Sequence, residues 1–74
     1  MMEIEFKVKV TYDQEADLGY IYLAEICEGE VEYSIKVEDK VLDFDGEGRL
    51  LGIEFLDGKA GLPKSLISKL EGEK

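Results

Sequence analysis

The chain has no histidine, no tryptophan and no asparagine, and only one cysteine (Cys27), one proline (Pro63) and one glutamine (Gln14). Without histidine, a histidine-based nucleophilic triad is excluded; so is a structural zinc site, because Cys27 alone cannot complete a tetrahedral ligand set. One thiol also rules out an intrachain disulfide. A lone cysteine suits a reducing interior, so the expected compartment is cytoplasmic. The shortage of thermolabile amides beside abundant Glu and Lys matches proteins from hot environments. No stretch approaches the roughly 20 apolar residues of a membrane span, and the opening Met1-Met2-Glu3-Ile4-Glu5 lacks the basic and apolar regions of a secretory signal.

Positive charge is scarce as well. Nine Lys and Arg stand against eighteen Asp and Glu, for a formal net charge of −9. Such a surface repels phosphate backbones and anionic lipids, which argues against nucleic acid or a membrane as a partner. With 74 residues, 45% of them apolar and 36% charged, the composition is that of one small globular domain spanning 1–74.

What is present is mostly a period of two. Ile4, Phe6, Val8, Val10 and Tyr12 alternate with Glu5, Lys7, Lys9 and Thr11, which predicts a strand with one wet face. Residues 13–17 read as a turn. From Leu18 to Ala24, Tyr20 and Tyr22 alternate with Ile21 and Leu23, so neither face is polar and the strand is central or covered on both sides. Val31, Tyr33, Ile35 and Val37 form a third alternating set, and Val41–Phe44 and Arg49–Leu56 flank Asp45-Gly46-Glu47-Gly48 as a hairpin. The period then changes: Leu62, Leu66, Ile67 and Leu70 lie on one helical stripe, with Pro63 at its start and Gly72 at its end. The expected fold is α+β, an antiparallel five-stranded β-meander with one C-terminal amphipathic helix, about 63–71, packed on one face. One short helix cannot shield both faces of five strands. An apolar set drawn from Tyr20, Ile21, Tyr22, Leu23, Leu50 and Leu56 is therefore expected to serve as an interface, for a homodimer or another protein.

Several constellations invite a chemical reading. Asp43, Asp45, Glu47, Gly48 and Glu54 occupy positions 1, 3, 5, 6 and 12 of a calcium-loop template. Because Arg49–Leu56 reads as an extended strand, Glu54 falls about 20 Å along it from the turn, so a hairpin whose carboxylates cap turn amides is the better account of Asp43, Asp45 and Glu47. Asp13, Glu15 and Asp17, spaced by two, offer three carboxylates to a hard cation, but a turn fixed by its own carboxylates is the better account. Paired carboxylates acting as acid and base need a cleft that so short a chain barely affords, and no pair among eighteen stands out. Cys27 sits among Glu25, Glu28 and Glu30, which disfavour a reactive thiolate. Tyr12, Tyr20, Tyr22 and Tyr33 lack the basic groove of a base-stacking platform and read as cross-strand packing. Gly46 and Gly48, beside Asp45 and Glu47, make a poor phosphate cradle. No catalytic set and no cofactor site is expected, and the chain is not expected to be an enzyme.

Two segments are familiar. Tyr12-Asp13-Gln14-Glu15-Ala16-Asp17-Leu18-Gly19-Tyr20-Ile21-Tyr22-Leu23 resembles the opening motif of short prokaryotic proteins grouped as domain-of-unknown-function family 2283. Asp43-Phe44-Asp45-Gly46-Glu47-Gly48-Arg49-Leu50-Leu51-Gly52-Ile53-Glu54-Phe55-Leu56 resembles that family's second motif, an aspartate-rich hairpin followed by Gly-Ile-Glu. The resemblance covers about 6–58 and implies a small β-rich protein with no established activity. Because some members of this family lie beside genes for small toxin-like nucleases, it also implies an antitoxin-like or accessory role. The helical stripe beyond Asp57 and Gly58 departs from the shorter tail that the family pattern implies. The expected function is a non-enzymatic interaction module that binds a basic protein; the alternative is a small-ligand or divalent-cation binder using the acidic hairpin 43–54.

Overall fold

The computed structural model describes residues 1–72. In chain order the elements are β1 (Lys9–Asp13), β2 (Leu18–Tyr22), β3 (Tyr33–Val37), β4 (Lys40–Phe44), β5 (Leu50–Phe55), α1 (Gly58–Gly61) and α2 (Lys64–Gly72). The five strands form one antiparallel sheet in the order β1-β2-β5-β4-β3. The architecture is α+β as expected, with the meander continuous only over β3–β5. There β5 pairs with β2, so β2–β5 make a Greek key, and residues 23–32 cross one end of the sheet to reach the far edge.

Turn chemistry sets the hairpins. Asp13 Oδ1 accepts the amides of Glu15 and Ala16 at 3.0 and 3.3 Å, fixing the β1–β2 turn, and Asp17 completes that turn at φ 55°. In the β4–β5 hairpin, Asp45 Oδ1 accepts the amides of Glu47 and Arg49, both at 2.9 Å. Gly48 lies there at φ 80°, a conformation that costs an L side chain about 1–2 kcal/mol.

Two expected boundaries are corrected. The strand read from Ile4 begins only at Lys9, because its neighbour β2 ends at Tyr22 and leaves 4–8 no ladder partner. The second strand likewise stops short of Ala24: past the bond from the Leu23 amide to the Leu51 carbonyl (2.9 Å), the chain turns across the sheet end. A further short helix, α1, precedes the expected one.

Register assigns the faces. Tyr12, Gly19, Phe55, Lys40 and Val37 form one row across the sheet, and Val10, Ile21, Ile53, Leu42 and Ile35 the next; both lie on the helix side. Phe55, Leu62 and Ile67 are buried there, with Val10, Tyr12, Ile21 and Ile53 packed against them. Leu62, between the two helices, sits directly over Gly19, where a Cβ would lie 2.8 Å from its Cδ1. Of the expected helical stripe, Leu62 and Ile67 are buried, while Leu66 and Leu70 are half-buried. This cover extends over β1, β2 and β5 only; Ile35 and Val37, on the same face at the far edge, stay 46% and 49% exposed. The opposite face has no cover among the described residues. No helix is long and apolar enough to cross a membrane.

Candidate interaction site

Strand alternation puts Lys9, Tyr22, Gly52, Asp43 and Ser34 in one row of the open face, and Thr11, Tyr20, Glu54, Val41 and Lys36 in the next. The absent side chain of Gly52 is what links the rows. Tyr20 lies diagonally across the gap it leaves: a Cβ at Gly52 would meet Tyr20 Cε1 and Oη at 2.5 Å. The Tyr20 hydroxyl thereby donates to Asp43 Oδ2 at 2.6 Å, and the Ser34 hydroxyl donates to Asp43 Oδ1 at 2.6 Å. On the other side, the rings of Tyr20 and Tyr22 are 4.6 Å apart and tilted by 54°, and Lys9 Nζ stands 5.2 Å from the Tyr22 centroid. Side-chain contact therefore runs without a break from β1 to β3. Burial, and then the bond to anionic Asp43, push the Tyr20 hydroxyl pKa well above the usual tyrosine value. The ring is held in one place by both packing and a charge-assisted hydrogen bond.

Beside Tyr20 the surface dips into a shallow hollow of about 290 Å³, lined by Thr11, Tyr12, Asp13, Leu18, Gly19, Tyr20 and Glu54. Asp13 and Glu54 give it negative charge, and Leu18 and Tyr20 give it apolar walls.

A second polar cluster ties the β1–β2 turn to α1. Asp17 Oδ1 accepts the Tyr12 hydroxyl at 2.7 Å and the Lys59 amide at 2.9 Å, and the Asp17 carbonyl accepts the Gly58 amide at 2.8 Å. Gly58 allows this approach, since a Cβ there would lie 2.8 Å from Tyr12 Cε1. The Tyr12 hydroxyl, then the Lys59 amide, hold the Asp17 carboxyl below its ordinary value. Hydrogen bonding to that carboxylate pushes the Asp57 carboxyl up, and it drives the Tyr12 hydroxyl to about 12. This cluster acts as a clasp that positions α1, and through it Leu62, over the core.

The expected site residues scatter. Tyr20 and Tyr22 lie together on the open face, but Ile21 turns to the helix side and packs against the core. Leu23 is half-buried beyond the end of β2, while Leu50 opens β5 and Leu56 follows its last residue, with 36% and 38% exposure. Asp43, Asp45 and Glu47 do not converge: Asp43 is engaged by Tyr20 and Ser34, Asp45 caps its own hairpin, and Glu47 lies 4.0 Å from Arg49 Nη2. Nor do Asp13, Glu15 and Asp17; among the described residues no three Asp, Glu or Cys side chains are placed to hold a metal ion. Cys27 is exposed in the crossing segment, where its amide donates to Glu30 Oε1 at 2.9 Å. The spacing of Asp43 in the sequence offers a cation ligand or a turn cap, whereas the fold makes it the anchor of Tyr20. The one available signal was a glycine inside an otherwise regular strand, which marks close approach.

Neither a curated protein nor a solved structure matches this chain. A family profile described as a protein of unknown function (DUF2283) matches residues 9–59. That span takes in all five strands, the Tyr20–Asp43 band and the clasp, and ends before α2. On that match, the chain belongs to the DUF2283 family.

Proposed function

We propose that this chain is a non-enzymatic interaction module whose open sheet face docks a basic protein, in an antitoxin-like or accessory role. The observation that carries the reading is the Tyr20–Tyr22 pair, fixed through Asp43 on an uncovered face and set beside the anionic hollow at Asp13 and Glu54. A pre-positioned aromatic pair loses little side-chain entropy on binding, and tyrosine contributes apolar area with a polar rim. The hollow is of a size to take one long cationic side chain, with Tyr20 as a wall for its methylenes and two carboxylates for its head. A net charge of −9 draws a basic partner in and speeds encounter. An RNA-cleaving protein presents a basic groove, and an acidic plate of this shape would occlude it.

The test is calorimetric titration of the chain into the products of the genes flanking its own, in about 0.05 M and about 0.3 M salt. The reading expects binding that weakens at least about tenfold at the higher salt and is lost in the variant Tyr20→Ala. Absence of binding at low salt, or affinity indifferent to both salt and Tyr20, would overturn it.

A further inference from the structure

Residues 2–8, ahead of β1, carry an alternating pattern that the single chain does not use. Ile4, Phe6 and Val8 are 84%, 64% and 41% exposed, and none of residues 1–8 belongs to a strand. A groove of about 310 Å³, lined by Phe6, Lys7, Tyr22, Leu23 and Ile26 among others, separates the segment from the residues that follow β2. On its other side lies the free edge of the sheet, since β1 is the terminal strand.

The charges on this segment have an order of their own. The wet side of the pattern reads Glu3, Glu5, Lys7, Lys9, which is antisymmetric about Phe6. We infer that two copies of the chain pair through residues 2–10 as antiparallel strands around a two-fold axis at Phe6. In that register Glu3 faces Lys9 of the second copy and Glu5 faces its Lys7, and each pair occurs twice by symmetry. On the other side Ile4 faces Val8, and Phe6 faces Phe6. Every cross-strand pair is thus opposite in charge or apolar on both sides, the combination that stabilises antiparallel pairs.

The alternatives are worse by the same rule. Sliding the register by two residues one way sets Glu5 against Glu5, and sliding it the other way sets Lys7 against Lys7. A one-residue slip mixes the apolar and wet sides, and parallel pairing matches like with like throughout. A two-fold contact needs a self-complementary surface, and this segment supplies one. The contact joins two sheets edge to edge through β1, gives the unpaired segment its ladder and leaves the Tyr20–Asp43 band free.

The test is sedimentation equilibrium on the full chain at about 0.1 mM, a concentration that detects micromolar self-association. The expected mass is twice the 8.3 kDa of one chain. Two charge variants, Glu3→Lys/Glu5→Lys and Lys7→Glu/Lys9→Glu, are each expected to be monomeric with unchanged far-UV circular dichroism, and their equimolar mixture is expected to recover the dimer. A second measurement does not depend on those variants folding. Under oxidation, Phe6→Cys in a Cys27→Ser background should form a covalent dimer, because residues opposite one another in a ladder lie within disulfide reach, whereas Glu5→Cys in the same background should not. A monomeric wild type, a dimer that survives in both charge variants, or equal cross-linking at 5 and 6 would overturn the inference.

Discussion

Replacing Gly52 by alanine probes the open-face band where it is tightest. The new Cβ falls 2.5 Å from Tyr20 Cε1 and Oη and 2.7 Å from Cζ. Gly52 is held in β5 between β2 and β4, so its backbone cannot retreat and the ring must leave. Overpacking of this kind costs about 1–3 kcal/mol. Displacing the ring also breaks the 2.6 Å bond from Tyr20 to Asp43, for which a net value of about 1.5–3 kcal/mol is typical of a bond to a charged group. Tyr20 is only half-buried, so its hydroxyl recovers a bond to water and the low ends of both ranges apply. Alanine returns about 0.5–1 kcal/mol of backbone entropy relative to glycine. The net expectation is a loss of about 2 kcal/mol. In a Tyr20→Ala background the clash and the bond are already gone, so the same substitution should be neutral or slightly stabilising. Urea unfolding followed by far-UV circular dichroism measures all four corners of the cycle. With a slope of about 1 kcal/mol per molar urea for a chain this size, Gly52→Ala alone should lower the midpoint by about 2 M. Additivity of the two substitutions to within about 0.5 kcal/mol would refute the claim that Gly52 exists to seat the tyrosine.

Other outcomes follow from the turns and the clasp. Glu38, at φ 56° in the β3–β4 turn, should give way to glycine with a gain of up to about 1 kcal/mol in the same urea assay, the left-handed penalty outweighing the added chain entropy. Asp45→Ala removes the acceptor for the Glu47 and Arg49 amides and should lower stability by about 1–2 kcal/mol. Asp57→Asn should raise the melting temperature at neutral pH, where the carboxyl is ionised beside Asp17. The gain should shrink as pH falls through its raised pKa, because the folded wild type then takes up its proton before the unfolded chain does. Tyr12, pushed up to about 12, keeps its proton in the folded state after the unfolded chain has released it near 10. Wild-type stability should therefore fall between pH 10 and 12, and Tyr12→Phe should flatten that decline.

Much of the secondary structure was legible because period two and period 3.6 are local. The alternation through Val10, Ile21 and Ile35, with the hairpin signal between Val41–Phe44 and Arg49–Leu56, identified five strands, and the stripe Leu62, Leu66, Ile67 and Leu70 identified the helix. Strand ends were less so, because a strand extends only as far as its neighbour does: Ile4–Val8 has the pattern of a strand but no partner within the chain. The four-residue helix α1 has glycine at both ends, and its placement depends on Asp17 and Leu62, so nothing in its own residues announced it. Strand order was hidden because β2 carries the same signal whether it lies beside β3 or β5. The candidate site was the least legible part. Tyr20 and Tyr22 were visible as an apolar set with an undetermined face, but the anchor of Tyr20 at Asp43 depends on a notch at Gly52, and register alone brings those three residues together. Ile21 and Leu23 had equal claim on the pattern, and only the position of Leu62 and Ile67 decided which set faces the helix.

The most direct measurement of the docking claim is a ¹⁵N-resolved nuclear magnetic resonance titration with the products of the genes flanking this one, at low salt. Shifts are expected to concentrate on Thr11, Tyr20, Tyr22, Asp43 and Glu54 and to reverse with added salt, with α2 unaffected. Shifts confined to α2 or to Ile35 and Val37, or a spectrum that does not change at all, would contradict it.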